Sequence, residues 1–463
     1  MGSLFRNRNF VILFSGQMVS MFGNSLFALA LPWYVYSLTG SKVDLGITGL
    51  VSTLPGFAQL FSGVFVDRWP KRLTMILSDF FRAALSAAMF LVAIGHEKLL
   101  ILLILLFFLE LVGTFFSPAS SAFLPLVVSE ESIPAASGMT QSSSSFAQLA
   151  GTVSGGALIG LLGAPLLFVL NSISFLCSCI SLLFLRHSED RSKSSSASSV
   201  HANRVNSEHT GSPEAGVQPT TSRLRVFLDE WLEGFRLLTS TPFVRVIIAS
   251  AVLVNFAFAP LFTALTAWVK GPLHGTAFVL STLDGGFFLG IIGGGLLVGP
   301  LSSRLSLRLQ LASGLALIGV FLGLLPVVRN SWFDASLMLL CGVSVGFING
   351  SLFATIVRLI PPQLRGRVFG TLGALVSVAN PVGLAITTVV LPFIPLWTIF
   401  VAITVISLSA SSLYLLPMEA NLDSLLLVPG TSDQQFEELS EPLLSISDSF
   451  APGASSTPDA PEL

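Results

Sequence analysis

The sequence predicts an all-α integral membrane protein with twelve transmembrane helices arranged in two six-helix bundles. Three observations predict it. Only 10% of the 463 residues are Asp, Glu, Lys or Arg, against about 25% in soluble proteins, and the mean hydropathy is +0.82. The apolar residues form runs long enough to cross a bilayer, and the second half of the chain repeats a motif of the first. These features disfavour a water-soluble enzyme, a disordered chain and a coiled coil.

Twelve apolar segments are candidates for spanning helices, which need about 20 mainly apolar residues each. The runs are long and do not alternate between apolar and polar residues, so helices are favoured over barrel strands. No signal-peptide cleavage pattern follows the first run, and we expect this span to be retained. The predicted spans are 10–37, 44–66, 73–95, 99–122, 138–162, 165–185, 243–269, 276–302, 309–327, 332–358, 366–391 and 394–416.

Three segments have a different composition and divide the chain. Residues 186–222 are polar and Ser-rich, which predicts a disordered cytoplasmic linker. Residues 223–242 alternate charged and apolar positions with helical spacing, which predicts an amphipathic interfacial helix. Residues 417–463 are acidic, without Lys or Arg, and are predicted to be a disordered cytoplasmic tail. The segments 1–185 and 243–416 are then the N-terminal and C-terminal six-helix bundles.

The lysines and arginines predict the orientation. With the N-terminus inside, 18 of the 23 Lys and Arg residues fall in cytoplasmic segments and four fall outside, as the positive-inside rule requires. The remaining one, Arg82, lies within a span. We therefore expect a multi-pass protein of the cell's inner (cytoplasmic) membrane with both termini cytoplasmic. The net charge of −2 provides no basic field for nucleic acid.

One loop motif occurs twice, at an offset of 236 residues. The copies are 63–72, after the second span, and 299–308, after the eighth. A duplication into two halves of six spans is the usual architecture of secondary transporters. The residues that define the motif are Gly63, Asp67, Arg68, Lys71, Arg72, Gly299, Arg304 and Arg308.

Four ionisable residues within predicted spans are the candidate coupling sites. A charge near a helix centre costs about 2.5–3.5 kcal/mol, so Asp79, Arg82, Glu110 and Asp284 should each face protein or water. Asp79 and Arg82 share a helix face. Arg82 and Glu110 lie near mid-depth and could pair across neighbouring helices. That pair is either a structural ion pair or a site where Glu110 exchanges a proton during transport. Asp284 begins a series of glycines, for which helix packing is the simpler role.

The sequence contains no constellation typical of an enzyme or a metal site. Cys177, Cys179 and Cys341 fall in apolar spans, and the five histidines lie in loops or at span ends. Nucleophile–base pairs and clustered metal ligands are not found. We expect no catalytic activity, no metal and no cofactor.

The first copy of the loop motif resembles the loop 2–3 signature of the major facilitator superfamily, and the resemblance extends over 1–185 and 223–416. Further stretches are similar to the macrolide-efflux and enterobactin-exporter branch of that superfamily. They are 17–24, 31–40, 116–119 and 361–370.

The resemblance implies the major facilitator fold and export of an amphipathic small molecule, such as a drug or secondary metabolite, by alternating access. It also implies a role for the loop motif as conformational switch. Our own expectation is that protons are the coupling partner and that the protein is a monomer in the lipid bilayer. In this superfamily the first, fourth, seventh and tenth spans line the cavity. The cavity residues implied are Gln17, Asn24, Glu110, Asn255, Phe258, Trp268 and Asn349.

Four positions depart from the family's patterns. Asn24 stands where many relatives carry an acid, Ser303 replaces the acid of the second motif, and Arg358 replaces a Gln. The pattern Gly151-Thr152 lacks the proline of proton antiporters. Two alternatives therefore stay open: a lipid flippase or uncoupled facilitator of the same fold, and a membrane sensor or partner-binding protein that has lost transport.

Overall fold

The computed structural model describes residues 4, 6–66, 68–95, 99–185, 242–302, 304–359 and 362–415. The regular secondary structure of these residues is helical. In chain order the α-helices are α1 (Arg8–Thr39), α2 (Lys42–Thr53), α3 (Gly56–Val66), α4 (Lys71–Ile94), α5 (Leu99–Val127), α6 (Ile133–Leu162), α7 (Ala164–Leu183), α8 (Pro242–Phe258), α9 (Leu261–Lys270), α10 (Ala277–Ser302), α11 (Leu307–Leu324), α12 (Ser331–Leu359), α13 (Pro362–Val390) and α14 (Trp397–Leu413). A short 3₁₀ helix, Glu130–Ser132, precedes α6.

Two of the predicted spans are each built from two helices. The second span breaks at Leu54-Pro55, between α2 and α3, and the seventh at Ala259-Pro260, between α8 and α9. Proline has no N–H to donate and disfavours helical conformation in the residue before it, which explains both breaks. With each pair counted as one span, the described helices correspond to the twelve predicted spans.

The outer surface has the composition expected in lipid. Nine spans among the described residues are long and apolar enough to cross a membrane. One of these spans is formed by α8 and α9 together. The other three are the broken second span and the shorter apolar stretches of α13 and α14. Large apolar side chains point outward, for example Leu161 (81% exposed) and Leu296 (75%). A hydrocarbon environment accepts this exposure, which water would penalise.

The helices pack as two bundles of six spans. In the first, α1 packs against α6 and α7, and α4 against α5 and α7. In the second, α10 packs against α12, α11 against α14, and α8 against α13. Helix ends confirm the duplication: α3 ends at Val66 and α10 at Ser302, while α4 begins at Lys71 and α11 at Leu307. Both pairs have the offset of 236 that the motif predicts.

The glycine series of α10 lies in a very close helix crossing with α12, as predicted. A Cβ added at Gly290 or Gly294 would overlap the carbonyl oxygen of Leu339 or Val343 on α12. The approach is reciprocal, because a Cβ at Gly342 would overlap the carbonyl oxygen of Phe287 on α10. Small residues at four-residue spacing allow backbones to approach in this way.

Apolar side chains cluster differently at the two ends of the molecule. We call the end with Arg8, Arg72 and Arg304 the basic end, and the end with Thr39 and Lys270 the far end. At the far end one large cluster includes residues of both halves. At the basic end, the described residues form separate clusters, two within the first half and one within the second. The halves are therefore joined at the far end.

Several predicted features lie outside the described residues. They are the linker 186–222, the interfacial helix 223–242 apart from Pro242, which begins α8, and the tail 417–463.

Candidate functional site

A polar cavity lies between the two halves at mid-depth. Its volume is about 290 Å³. We call it the central cavity. Its lining comes from α2 to α5 in the first half and from α13 in the second. The lining residues are Ser52, Thr53, Pro55, Gly56, Gln59, Arg82, Glu110, Gly113, Thr114, Ser377, Asn380 and Pro381.

The guanidinium of Arg82 is held by groups of three helices. It donates from Nη2 to the Asn24 side-chain oxygen on α1 (3.2 Å), and its Cζ lies 4.0 Å from the centre of the Phe175 ring on α7. Gly113 on α5 leaves room for it, since a Cβ there would lie 3.4 Å from Nε of Arg82. The surrounding helices therefore fix the charge at the wall of the central cavity.

Glu110 lines the same cavity as Arg82, as the sequence predicts for two neighbouring mid-depth charges. The hydrogen bond described for the guanidinium goes to Asn24 and not to Glu110. The two opposite charges line the same cavity, so they attract each other through space. The structure thus brings the predicted partners together without joining them in a close ion pair, and a substrate or water can reach the Glu110 carboxylate.

Asp79 lies one helical turn from Arg82 but points into the protein. Its side chain is fully buried, and neither carboxylate oxygen has a hydrogen-bond partner among the described residues. Ser178 on α7 and Arg82 are the polar groups that act on it. A buried carboxylate with so few partners is expensive, and the nearby positive charge of Arg82 offsets part of that cost.

The polar residues predicted for one shared cavity are divided among three places. Gln17 is buried and donates to Ser120 on α5, so it joins two helices of the first half. Asn24 contacts Arg82 behind the cavity wall. A second cavity of about 140 Å³, between α8, α11, α12 and α14, is lined by residues that include Asn255, Phe258 and Asn349.

Trp268 does not provide the aromatic cavity surface that was expected. It is buried, and its Nε1–H donates to Asp334 (3.0 Å) on α12. The indole packs edge-on against Phe400, with ring centres 5.5 Å apart. Sequence reasoning missed Asp334, although an acid in the first turn of an apolar helix was a usable signal. Asp284 is buried on α10 with one oxygen unpartnered among the described residues, and it lines neither cavity.

The predicted switch motif lies at the basic end. Gly63 is in α3 and Gly299 in α10, close to the ends of these helices. The motif residues Arg68 and Arg304 are exposed in the loops that follow. Asp67 is outside the described residues, as is Ser303. Lys71 and Arg308 lie in the first turns of α4 and α11.

Arg72 has a defined local role within the motif. Its Nε donates to the Leu182 carbonyl (3.0 Å) and its Nη2 to the Leu183 carbonyl (2.8 Å) at the end of α7. A cation at a helix C-terminus satisfies free carbonyl groups and complements the helix dipole.

Close contacts between the halves lie at the far end. Gly46 on α2 faces Thr388 on α13, and Gly156 on α6 faces Ser281 on α10. Lys270 on α9 contacts Ser37 of α1, and its Nζ lies 4.8 Å from the centre of the Trp33 ring. The close contact of Gly156 could not be inferred from its sequence pattern alone, because its partner Ser281 lies 125 residues away in sequence.

The described residues contain no group of three or more His, Cys, Asp or Glu side chains that could hold a metal ion. Cys177, Cys179 and Cys341 are free thiols.

Comparison with known proteins adds a family match and several relatives. A family model described as Major Facilitator Superfamily matches residues 13–384 and 247–426. Macrolide efflux protein A of Streptococcus pyogenes is 25% identical over 384 residues, covering 82% of this chain and 88% of the relative. The multidrug efflux pump Tap of Mycolicibacterium fortuitum is 25% identical over 382 residues, covering 78% and 84%.

Solved structures share the fold at low sequence identity. A bacterial homologue of the iron transporter ferroportin, in an inward-facing state, aligns with a TM-score of 0.63 at 16% identity and covers 90% of this chain and 98% of that one. A POT family transporter in complex with 5-aminolevulinic acid aligns with a TM-score of 0.63 at 14% identity, covering 88% and 96%.

Proposed function

Because this chain belongs to the Major Facilitator Superfamily, we propose that it is a secondary transporter that exports an amphipathic small molecule by alternating access in exchange for protons. The observation that carries the proposal is the central cavity, which places Arg82 and Glu110 between two separately packed halves. The efflux relatives, which are named for macrolides and for multiple drugs, support export of organic molecules.

The proposed orientation places the basic end in the cytoplasm, with both termini on that side of the cell membrane. The excess of Lys and Arg at this end supports it. The halves share an apolar cluster at the far end and have separate clusters at the basic end. This arrangement supports an inward-facing state, from which a cytoplasmic substrate would enter the cavity.

The proposed substrate site is the central cavity. It combines one carboxylate with hydroxyl and amide groups, among them Thr53 and Asn380, and it lies inside an apolar helical frame. A few polar anchors in an apolar site suit a molecule with both apolar surface and hydrogen-bonding groups.

Glu110 is the proposed proton carrier. Protonation removes its charge, and with it the attraction to Arg82, so the two protonation states can favour different arrangements of the helices that hold them. One proton moved inward across 100 mV supplies about 2.3 kcal/mol before any pH gradient is counted.

The test uses purified protein in proteoliposomes with an imposed pH gradient, a fluorescent macrolide or dye as substrate and a pH indicator. We expect coupled substrate and proton flux, which a protonophore abolishes. Glu110→Gln should lose the proton flux, because an amide does not exchange protons in this range, whereas the exposed-site control Glu131→Gln should retain both fluxes. Unchanged coupled flux in Glu110→Gln would remove Glu110 from this role.

An uncoupled facilitator or lipid flippase is the second candidate, and one observation favours it. Asn24, which accepts the hydrogen bond from Arg82, stands at the position where the family resemblance leads us to expect an acid. Substrate flux that persists with a protonophore and without a pH gradient would favour a facilitator. Movement of a fluorescent phospholipid between leaflets would favour a flippase.

A further inference from the structure

A groove at the basic end lies apart from the central cavity. Its volume is about 520 Å³, and it runs between the start of α1 and the end of α7. Its lining combines two arginines with apolar side chains and two hydroxyl groups, and no acidic side chain is among the described lining residues. They are Arg6, Arg8, Val11, Ile12, Ser15, Ser181 and Phe184.

The two arginines are held in place by the residue between them. The Asn7 side-chain oxygen caps α1 by accepting from the N–H groups of Asn9 and Phe10 (3.1 and 3.2 Å), and its Nδ2 donates to the Val127 carbonyl on α5 (2.7 Å). Leu4 is buried in an apolar cluster just before them. Arg6 and Arg8 are both exposed. An anchored segment therefore presents two exposed cations at the rim of the groove.

The groove lies at the depth of the lipid headgroups. Helix α1 has 32 residues and is about 48 Å long, which exceeds a hydrocarbon core of about 30 Å. Its first turn therefore reaches the interface. Phe184 and Leu183 point outward at the same level and are 61% and 56% exposed, which places the groove on the surface that faces lipid.

The C-terminus of α7, next to the groove, does not disfavour binding of an anion. Carbonyl groups at the C-terminus of α7 would repel one, but Arg72 donates to the Leu182 and Leu183 carbonyls and compensates them. The N-terminus of α1 contributes a partial positive charge on the other side.

We propose that this groove binds the phosphate headgroup of an anionic phospholipid, with Arg6 and Arg8 on the phosphate and an acyl chain against Val11, Ile12 and Phe184. Basic pockets between helices on the cytoplasmic side suit such headgroups. The apolar floor selects a lipid over a free phosphate compound, since only a lipid would cover it.

The test is native mass spectrometry of the purified full chain with added dioleoylphosphatidylglycerol or dioleoylphosphatidylcholine. We expect selective retention of phosphatidylglycerol. Arg6→Gln/Arg8→Gln should weaken it about fivefold for each charge removed, and Arg6→Lys/Arg8→Lys should retain most of it. Arg245→Gln/Arg329→Gln removes two exposed arginines elsewhere and should have no effect.

Three results would overturn the proposal: equal retention of the two lipids, equal losses in the two Gln double variants, or displacement of the lipid by millimolar glycerol 3-phosphate. The last would identify a soluble phosphate compound as the occupant. The readout is independent of transport, so the proposed function can fail while the lipid site stands.

Discussion

At the scale of single residues, the charges of the central cavity depend on one another. Arg82 compensates the fully buried Asp79 and faces Glu110, and Asn24 and Phe175 hold it in place. Breaking a buried charge network by removing one member leaves the other charges without compensation.

Arg82→Met should therefore destabilise the protein by about 2–3 kcal/mol, less than a fully buried pair because Arg82 also faces the cavity. Adding Asp79→Asn should recover part of the loss, since the uncompensated carboxylate is then gone. Denaturation of purified protein in mixed micelles measures both effects. The control Arg245→Met, at an exposed site, should change stability by less than about 0.5 kcal/mol. No recovery in the double variant would mean that Asp79 is not compensated by Arg82.

Asn24 offers a second test of the same network. Asn24→Leu removes the acceptor for Arg82 and should cost about 1–3 kcal/mol, because a buried charged donor is left unpaired. Asn24→Asp keeps an oxygen acceptor and should be tolerated. Thermal unfolding of the purified variants distinguishes them, and equal effects of Leu and Asp would contradict the role of this hydrogen bond.

Sequence reasoning found the in-span charges but not their partners. Asp79, Arg82 and Glu110 stand out because charges are rare in apolar runs. The hydrogen bond from Arg82 to Asn24 depends on how α1 lies against α4, 58 residues away in sequence. For amides such as Gln17 and Asn24, the sequence does not distinguish a side chain that lines a cavity from one that packs between helices.

At the scale of helices, the crossing of α10 and α12 depends on the absence of side chains. Gly290 meets backbone of α12, which cannot move aside as a flexible side chain would. The glycine spacing predicted a close crossing, but the matching glycines of α12 could be assigned as its partners only from the structure.

Gly290→Val should therefore destabilise the protein by about 3 kcal/mol or more, because overpacking against backbone has no relief. Gly295→Ala on the same helix is the matched control, since nothing lies within 4 Å of a Cβ placed there. Yield of monodisperse protein and its unfolding temperature provide the measurement. Equal tolerance of both substitutions would show that the crossing is looser than described.

At the scale of the whole molecule, the repeat predicted two halves but not which end is closed. Which end is closed depends on contacts between distant segments, such as that of Gly46 with Thr388. These contacts produce no periodic pattern in the sequence. A Cβ placed on Gly46 would lie 3.1 Å from Cβ of Thr388, close to the separation that a disulfide needs.

A cysteine pair at these positions should cross-link the far end and stop transport. In a background without the native thiols, Gly46→Cys/Thr388→Cys treated with an oxidant is expected to lose more than about 90% of substrate flux, and reduction should restore it. The control Gly323→Cys/Thr404→Cys joins two helices of one half, where a Cβ on Gly323 would lie 3.6 Å from Cβ of Thr404. That cross-link should leave transport intact. Full flux through the Gly46–Thr388 cross-link would exclude opening of the far end.

The uneven distribution of apolar clusters also sets the energy of the empty transporter. Among the described residues, separating the halves at the basic end leaves each local cluster intact, so little of their apolar surface is newly exposed to water. Parting them at the far end splits one cluster that contains Phe27 of one half and Phe400 of the other. With the basic end in the cytosol, as proposed, an unloaded molecule should rest in the inward-open state, and binding of the substrate or of the proposed coupling proton must supply the free energy for the change to the outward-open state.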